Sequence, residues 1–348
     1  MALLFADSFD HYGTGATGRT NMLAGAWAEI SVGGYTPGAG GRTGSNALRS
    51  SGSGNVARIS MNGLKSVVGV AYGVWMAALP STTSVIGVVL RSQANNSLLA
   101  VCVTPDGAIA VKTGNVFSGT IIAISDSVLT AGTFHHVEFK AVLDDTVGSI
   151  EVRVNGVVVL NSTDLNLGTI PAAAVVFDSP STASGVSHAY DDFLIWDNVG
   201  DYCNDFLGPQ RVLTYFPVGD TAQADWTITG GSGPGYDAIN KAVPDGDTSF
   251  IGAANVGSKS DFTLPTLPPE TAVIAGVFVP VMGRIDEAGV GNIKMSMISG
   301  ANVVSGLDIN LTPGYIYSRN SFEFDPTTNA PWTKAGFEAA LVRIEKTL

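Results

Sequence analysis

The chain has 348 residues, more than one ordinary sandwich uses, so two cores of roughly 100–200 residues each are expected. Hydrophobic residues make up 45% and charged residues 14%, with 42 glycines, which excludes disorder and predicts a compact, turn-rich chain. A net charge of -12 excludes a nucleic-acid or anionic-lipid surface, because neutralising phosphate needs clustered Lys and Arg.

The N-terminal segment Met1–Asp10 has no basic stretch and no long apolar run, so no signal peptide is expected. No apolar run is long enough for a membrane helix, and a soluble protein made in a cytoplasm is expected. Gly13–Gly25 and Gly33–Gly54 are dominated by Gly, Ser, Thr and Asn. They are expected to be extended surface loops outside the core, serving as contact arms. Strands are predicted at Ala57–Met61, Ser66–Ala78, Val85–Ser92, Leu98–Thr104 and Ile109–Thr113, with Pro105-Asp-Gly107 closing a hairpin. His136–Leu143 and Ser149–Val154 alternate apolar and polar residues around a turn at Asp144–Gly148, and Asn155-Gly156 signals a two-residue hairpin into Val157–Leu160. Ala174–Asp178 and Ala189–Asp197 complete the set.

The run Asn198–Gln210 breaks the alternation, which divides the chain into a domain over 1–198, a linker over 199–211 and a domain over 212–348. Strands of the second domain are predicted at Val212–Pro217, Ser260–Leu264, Ala272–Met282, Ile293–Ser299, Val303–Asn310, Tyr315–Glu323 and Leu341–Glu345. One helix is predicted, Thr333–Ala340, with Thr333 as its N-cap. Cys102 and Cys203 have neither metal-binding spacing nor scaffold density, and free thiols are expected.

Three N-terminal pieces resemble the concanavalin A-like family of laminin G and pentraxin modules: Gly132–Phe139, Val152–Gly156 and Tyr190–Trp196. Over about Leu3–Asp197 the resemblance implies an all-β fold, a jelly-roll sandwich of antiparallel sheets, followed by a C-terminal β-rich domain with one short helix. The segments Leu3–Tyr12, Pro244–Phe250 and Phe324–Thr333 are also similar to structural proteins of bacteriophage particles. That resemblance implies a tail, fibre or other exterior virion component, with decoration of the capsid a lesser alternative. It implies synthesis in the host bacterial cytoplasm, other virion proteins as partners, and homo-oligomerisation, three-fold by analogy with phage fibres. The alternative is a carbohydrate-binding module for host surface glycan.

Glycanases with this sandwich carry a Glu-x-Asp-x-x-Glu strand, because period two puts alternate carboxylates on one face. No such string occurs, Glu323-Phe-Asp325 is taken as a pair of strand-end carboxylates, and no enzyme is expected. Adjacent His135 and His136 must point to opposite faces, one packed or hydrogen-bonded and one exposed. No cofactor is required, although the family resemblance implies a calcium option at Asp7, Asp10, Asp191 and Asp192. Against it stands the preferred reading that Asp191 and Asp192 hydrogen-bond backbone at a strand start. Pro244–Ser249 is read as a turn. Trp75 and Trp196 lie inside strand patterns and are assigned to the core, while Trp27 and Trp226, flanked by loops, are the aromatics offered to a glycan or a neighbouring subunit.

Overall fold

The computed structural model describes residues 2–31, 34–50, 55–81, 86–179, 186–231, 233–271, 273–286 and 289–348. Gly33, Ser51–Gly54, Val85 and Ala272, which belong to segments assigned from the sequence, lie outside them. The chain divides into two compact units, Met1–Asp10 with Thr14–Leu213, and His11–Gly13 with Thr214–Leu348. No described helix is long and apolar enough to cross a membrane.

The first unit contains β1 (Leu3–Asp7), α1 (Gly15–Leu23), β2 (Trp27–Ile30), β3 (Tyr35–Ala39), β4 (Asn46–Ser50), β5 (Asn55–Lys65), β6 (Val67–Met76), β7 (Ile86–Arg91) and β8 (Ser97–Val103). It continues with β9 (Ala108–Thr113), β10 (Thr120–Ser127), β11 (His135–Val142), β12 (Gly148–Val154), β13 (Val157–Leu165), β14 (Ala172–Ser179) and β15 (His188–Trp196). An eight-stranded sheet runs β13-β12-β11-β6-β15-β4-β3, with β1 also on β15, and a seven-stranded sheet runs β10-β9-β8-β7-β14-β5-β2. All pairings are antiparallel, and the all-β sandwich is as expected. Hairpin chemistry is where the sequence places it: Asn155 and Gly156 both have positive φ, and the Gly107 N–H closes its turn on the Thr104 carbonyl at 3.0 Å.

Aromatic rings fill the space between the sheets. Phe177 on β14 meets Tyr190 and Phe193 on β15 at centroid distances of 4.2 and 4.7 Å, and Tyr72 on β6 at 6.0 Å. Period two then sends Gly69, Ala71, Gly73 and Trp75 of β6 to the outer face of the eight-stranded sheet.

Several expectations are corrected. The Gly-rich segments are not peripheral: they supply α1, β3 and β4, and Met22, Tyr35, Ala47 and Leu48 within them are buried. Low apolar density hides these elements, because single large residues between glycines suffice to anchor short strands. β10 has no counterpart among the predicted strands. Residues 199–211 are not a free linker but are counted with the first unit, held by the buried Glu138 carboxylate of the eight-stranded sheet and by Arg42.

The second unit is also β-rich. It contains β16 (Gly219–Ala224), β17 (Thr227–Thr229), α2 (Gly235–Ile239), β18 (Phe250–Gly252), β19 (Lys259–Thr263), β20 (Val277–Gly283), β21 (Gly291–Ser299), β22 (Asn302–Ser305) and β23 (Ile309–Leu311). β24 (Ile316–Phe322), β25 (Phe324–Asp325), β26 (Ala330–Pro331), α3 (Lys334–Ala339) and β27 (Leu341–Lys346) complete it. Its main sheet runs β16-β19-β27-β21-β22, with β23 on β21, over a core that includes Phe262, Met297, Trp332, Phe337 and Ile344. Thr333 caps α3 as predicted, accepting from the Gly336 N–H at 3.0 Å. Val212–Pro217 is irregular rather than a strand, and the predicted strand Val303–Asn310 is two strands, β22 and β23. Helices α1 and α2 are not among the predicted elements; α1 has little helical propensity and holds its place by burying Gly18 and Met22.

Gly69 and Gly73 share a strand face but not an environment. A Cβ on Gly69 would overlap the buried Trp196 ring, whereas one on Gly73 would meet only the Asp191 carbonyl at 3.4 Å and Phe134 at 3.6 Å. Gly69→Ala is expected to lower stability by about 1–3 kcal/mol through overpacking, and Gly73→Ala by less than half as much, measured by urea unfolding.

Candidate functional site

The outer face of the eight-stranded sheet carries aromatic, basic, acidic and imidazole side chains together. Register places its side chains in rows. Trp75, Ala189, Arg49 and Thr36 lie across β6, β15, β4 and β3, and His136, Gly73 and Asp191 lie across β11, β6 and β15. Arg153, Glu138 and Ala71 form the next row, followed by Glu151, Lys140, Gly69 and Trp196.

The last two rows are covered by a strap formed by residues 205–212. The Phe206 ring lies 3.8 Å from the Arg153 guanidinium and 6.4 Å from the Trp196 ring, and Lys140 pairs with Asp205 at 2.9 Å. Beneath it the Glu138 carboxylate, fully buried, accepts from the Leu207 N–H at 2.5 Å and the Gly208 N–H at 3.2 Å. Farther along, Asp192 accepts from the Val212 N–H at 2.8 Å, and Arg42 donates to the Gln210 carbonyl at 3.4 Å. The second row is buried as well, with Arg42 donating its backbone N–H to Asp191, whereas the first row carries no such cover: Trp75 and Arg49 are half-buried there, as is the adjacent Phe134. Arg49 is held in place by donating to the Ala39 carbonyl at 2.9 Å.

Burial perturbs the ionisable groups of this face in opposite directions. It raises Glu138 to about 7 against the lowering effect of the Leu207 and Gly208 N–H groups and of Arg153. Asp191 is likewise pushed up to about 7 by burial and by Asp192, although it accepts from the Arg42 and Asp192 N–H groups at 2.8 Å each. His136 is driven down to about 4 by burial and by the Arg42 charge. It is 2% exposed, and neither ring nitrogen has a hydrogen-bond partner among the described residues. A buried, unpartnered polar ring costs free energy and calls for an explanation beyond packing. Asp192 adds backbone strain, with φ of 51° at the point where the β15–β6 register shifts.

The residues singled out in the sequence are sorted differently. Trp27, offered as a ligand-facing aromatic, is 1% exposed; its indole N–H donates to Asp7 at 2.9 Å, and its ring packs on Phe5, Phe9, Phe177 and Phe193. Trp75, assigned to the core, faces outward. Trp196 is buried as expected. Trp226 lies half-buried in the second unit, its indole donating to the Ser258 carbonyl at 3.1 Å. His135 and His136 take opposite faces, but the expected exposed histidine is absent, since both are buried; His135 bonds to Thr130.

Of the four aspartates, Asp7 is committed to Trp27 and to the Phe9 N–H, and Asp10 to the Asn46 N–H at 2.7 Å. Asp191 and Asp192 hold backbone N–H groups, but from the middle of β15 and not from a strand start. Among the described residues no group of three or more His, Cys, Asp or Glu side chains is arranged to hold a metal ion. Glu323 and Asp325 are buried, and Asp325 caps a turn through the Thr327 N–H at 2.8 Å. Pro244–Ser249 is a turn, tied by Asp245 to Ser249 at 2.7 Å. Cys102 and Cys203 are free and buried.

No protein-family model matches the chain, and no curated protein is significantly similar to it in sequence. Solved structures do show likeness. A sialidase is 15% identical over 56% of this chain, with a TM-score of 0.40, and the match spans only 18% of the sialidase. Carbohydrate binding module CBM66 from Bacillus subtilis is 11% identical over 49% of this chain and 96% of its own, with a TM-score of 0.34. A protein of unknown function with a galectin-like fold, also from Bacillus subtilis, is 10% identical over 56% of this chain and 96% of its own, with a TM-score of 0.36. Likeness at this level carries no weight about ligand or reaction.

The opposed shifts of Glu138 and His136 have a measurable sign. Folding raises Glu138 from 4.5 to about 7, so its contribution to stability is full below 4.5 and is lost as pH rises to 7. Folding lowers His136 from 6.5 to about 4, so its contribution is full above 6.5 and is lost as pH falls to 4. Relative to the unaltered chain, Glu138→Gln is expected to gain stability with rising pH between 4.5 and 6.5, and His136→Gln to lose it. Each difference should have a slope of up to about 1.4 kcal/mol per pH unit in urea unfolding series. Slopes of the same sign for both variants would contradict the assignment.

Proposed function

We propose that the first unit is a non-catalytic recognition module that binds carbohydrate through the open row of its eight-stranded sheet. The observation that carries this reading is the row Trp75, Ala189, Arg49 and Thr36, with Phe134 beside it. A sugar ring offers an apolar face for stacking and hydroxyls for a guanidinium, and small Ala189 leaves room between the aromatic and the arginine. Arg49 is already held by Ala39, so little side-chain entropy is lost on binding.

A second reading places the protein on the outside of a bacteriophage particle, as a tail or fibre component that docks to other virion proteins and to its own copies. It is supported by exposed apolar residues on two edge strands and an adjoining loop: Phe117, Ile121, Ile124, Val157 and Val158. Such edges suit assembly contacts. The two readings are compatible, since a virion module that recognises a host surface glycan satisfies both.

Glycan-array screening followed by titration calorimetry tests the first reading. Trp75→Ala is expected to weaken binding of the recognised glycan about tenfold or more, a loss typical of one stacked aromatic, while Trp226→Ala leaves it unchanged. Absence of binding to every glycan at high concentration, or equal binding by Trp75→Ala, would sink it.

A further inference from the structure

The second unit contains a partly open cavity of about 110 Å³, lined by Ala224, Trp226, Ile228, Ile251, Phe262 and Asp220, among others. Ile228 and Ile251 face one another in the β17–β18 pair. The Trp226 N–H groups are spent on Ser260 at 3.2 Å and Ser258 at 3.1 Å, which leaves its ring as what it can offer a ligand. Asp220 accepts from the Gly235 N–H at 2.5 Å and the Tyr236 N–H at 2.7 Å, and among the described residues no cationic side chain pairs with it. Asp261, also on the wall, differs: Arg343 holds both its oxygens at 2.7 and 2.8 Å. One carboxylate of the cavity is therefore matched by a cation and the other by backbone N–H groups alone, with its negative charge unpaired.

An occupant must satisfy a negative charge and an apolar wall together. An anion would be repelled, and a bare metal ion would want six or more oxygen ligands that this wall lacks. An ammonium group sheathed in methyl or methylene carbons meets both demands, since aromatic rings and a carboxylate attract its diffuse charge while isoleucines cover its carbons. Size restricts it further: an apolar cavity of about 150 Å³ admits benzene, so this one admits a single small head group. We propose that the cavity receives the head of an alkylammonium ion, placed between Trp226, Phe262 and the Asp220 carboxylate. The site lies in the second unit and does not depend on the carbohydrate reading of the first.

The test titrates the full chain with choline, with n-butylammonium, and with the uncharged isostere of choline in which tert-butyl replaces trimethylammonium, followed by calorimetry and tryptophan fluorescence. Saturable binding of at least one cation is expected, with the isostere weaker by about tenfold or more. Asp220→Asn should abolish that preference, and Ile228→Trp, which fills the cavity, should abolish binding. Tighter binding of choline identifies a quaternary head group as the natural occupant, and tighter binding of butylammonium a lysine side chain. Should Asp220→Asn fail to fold because the Gly235 and Tyr236 N–H groups lose their acceptor, the charged and uncharged ligands on the unaltered chain still decide. Absence of saturable binding by either cation, or an isostere that binds as well as choline, would overturn the proposal.

Discussion

A carboxyl group cut off from water has to find N–H groups, and in the first unit that requirement shapes the whole outer face of the larger sheet. Glu138 sits mid-strand in that eight-stranded sheet, fully buried, and its two oxygens take the N–H groups of Leu207 and Gly208. Those bonds hold residues 205–212 against the sheet, where Phe206 covers Arg153 and approaches Trp196. The strap covers the last two rows, the His136 row beside them is buried, and the Trp75 row is left open. Trp75, Arg49 and Thr36 owe their availability to lying in that open row.

The same face shows why polar groups in a sandwich are informative. Alternation delivers side chains to the outer face whatever their chemistry, so the presence of His136, Glu138, Lys140 and Arg153 there is ordinary. Their loss of water is not. Three of these four are compensated, by backbone N–H groups, by Asp205 and by the Phe206 ring, while His136 is left without a partner among the described residues. An imbalance of the same kind marks the second unit, where Asp261 is matched by Arg343 and Asp220 only by backbone. In the second unit the carboxylate without a cation shares its cavity with Trp226 and Phe262.

Much of the β architecture is legible in the sequence because its signals are local. Asn155-Gly156 and Pro105-Asp-Gly107 make the turns their φ preferences demand, and β11, β12, β6 and β15 lie within a few residues of the bounds that alternation predicts. The Thr333 cap is equally local. Elements that depend on distant chain are not legible in this way. β3 and β4 carry too few apolar residues to announce themselves, yet Tyr35 and Leu48 are buried by partners on β15 and across the sandwich. Residues 199–211 read as a linker because their anchors, Glu138 and Arg42, lie far back in the sequence.

The two tryptophans of the first unit that exchange roles mark the boundary most clearly. Local pattern alone establishes that Trp75 lies in a strand and that Trp27 stands among glycines, and both facts hold. Strand membership fixes only that neighbours alternate, however, and not which face meets the other sheet. Tyr72 packing on Phe177 settles that for β6 and turns Trp75 outward, and the Asp7 carboxylate draws the Trp27 indole into the interior. Period two is a property of the backbone and can be read from a single chain segment; which face loses water is a property of the pair of sheets, and it is set when they pack.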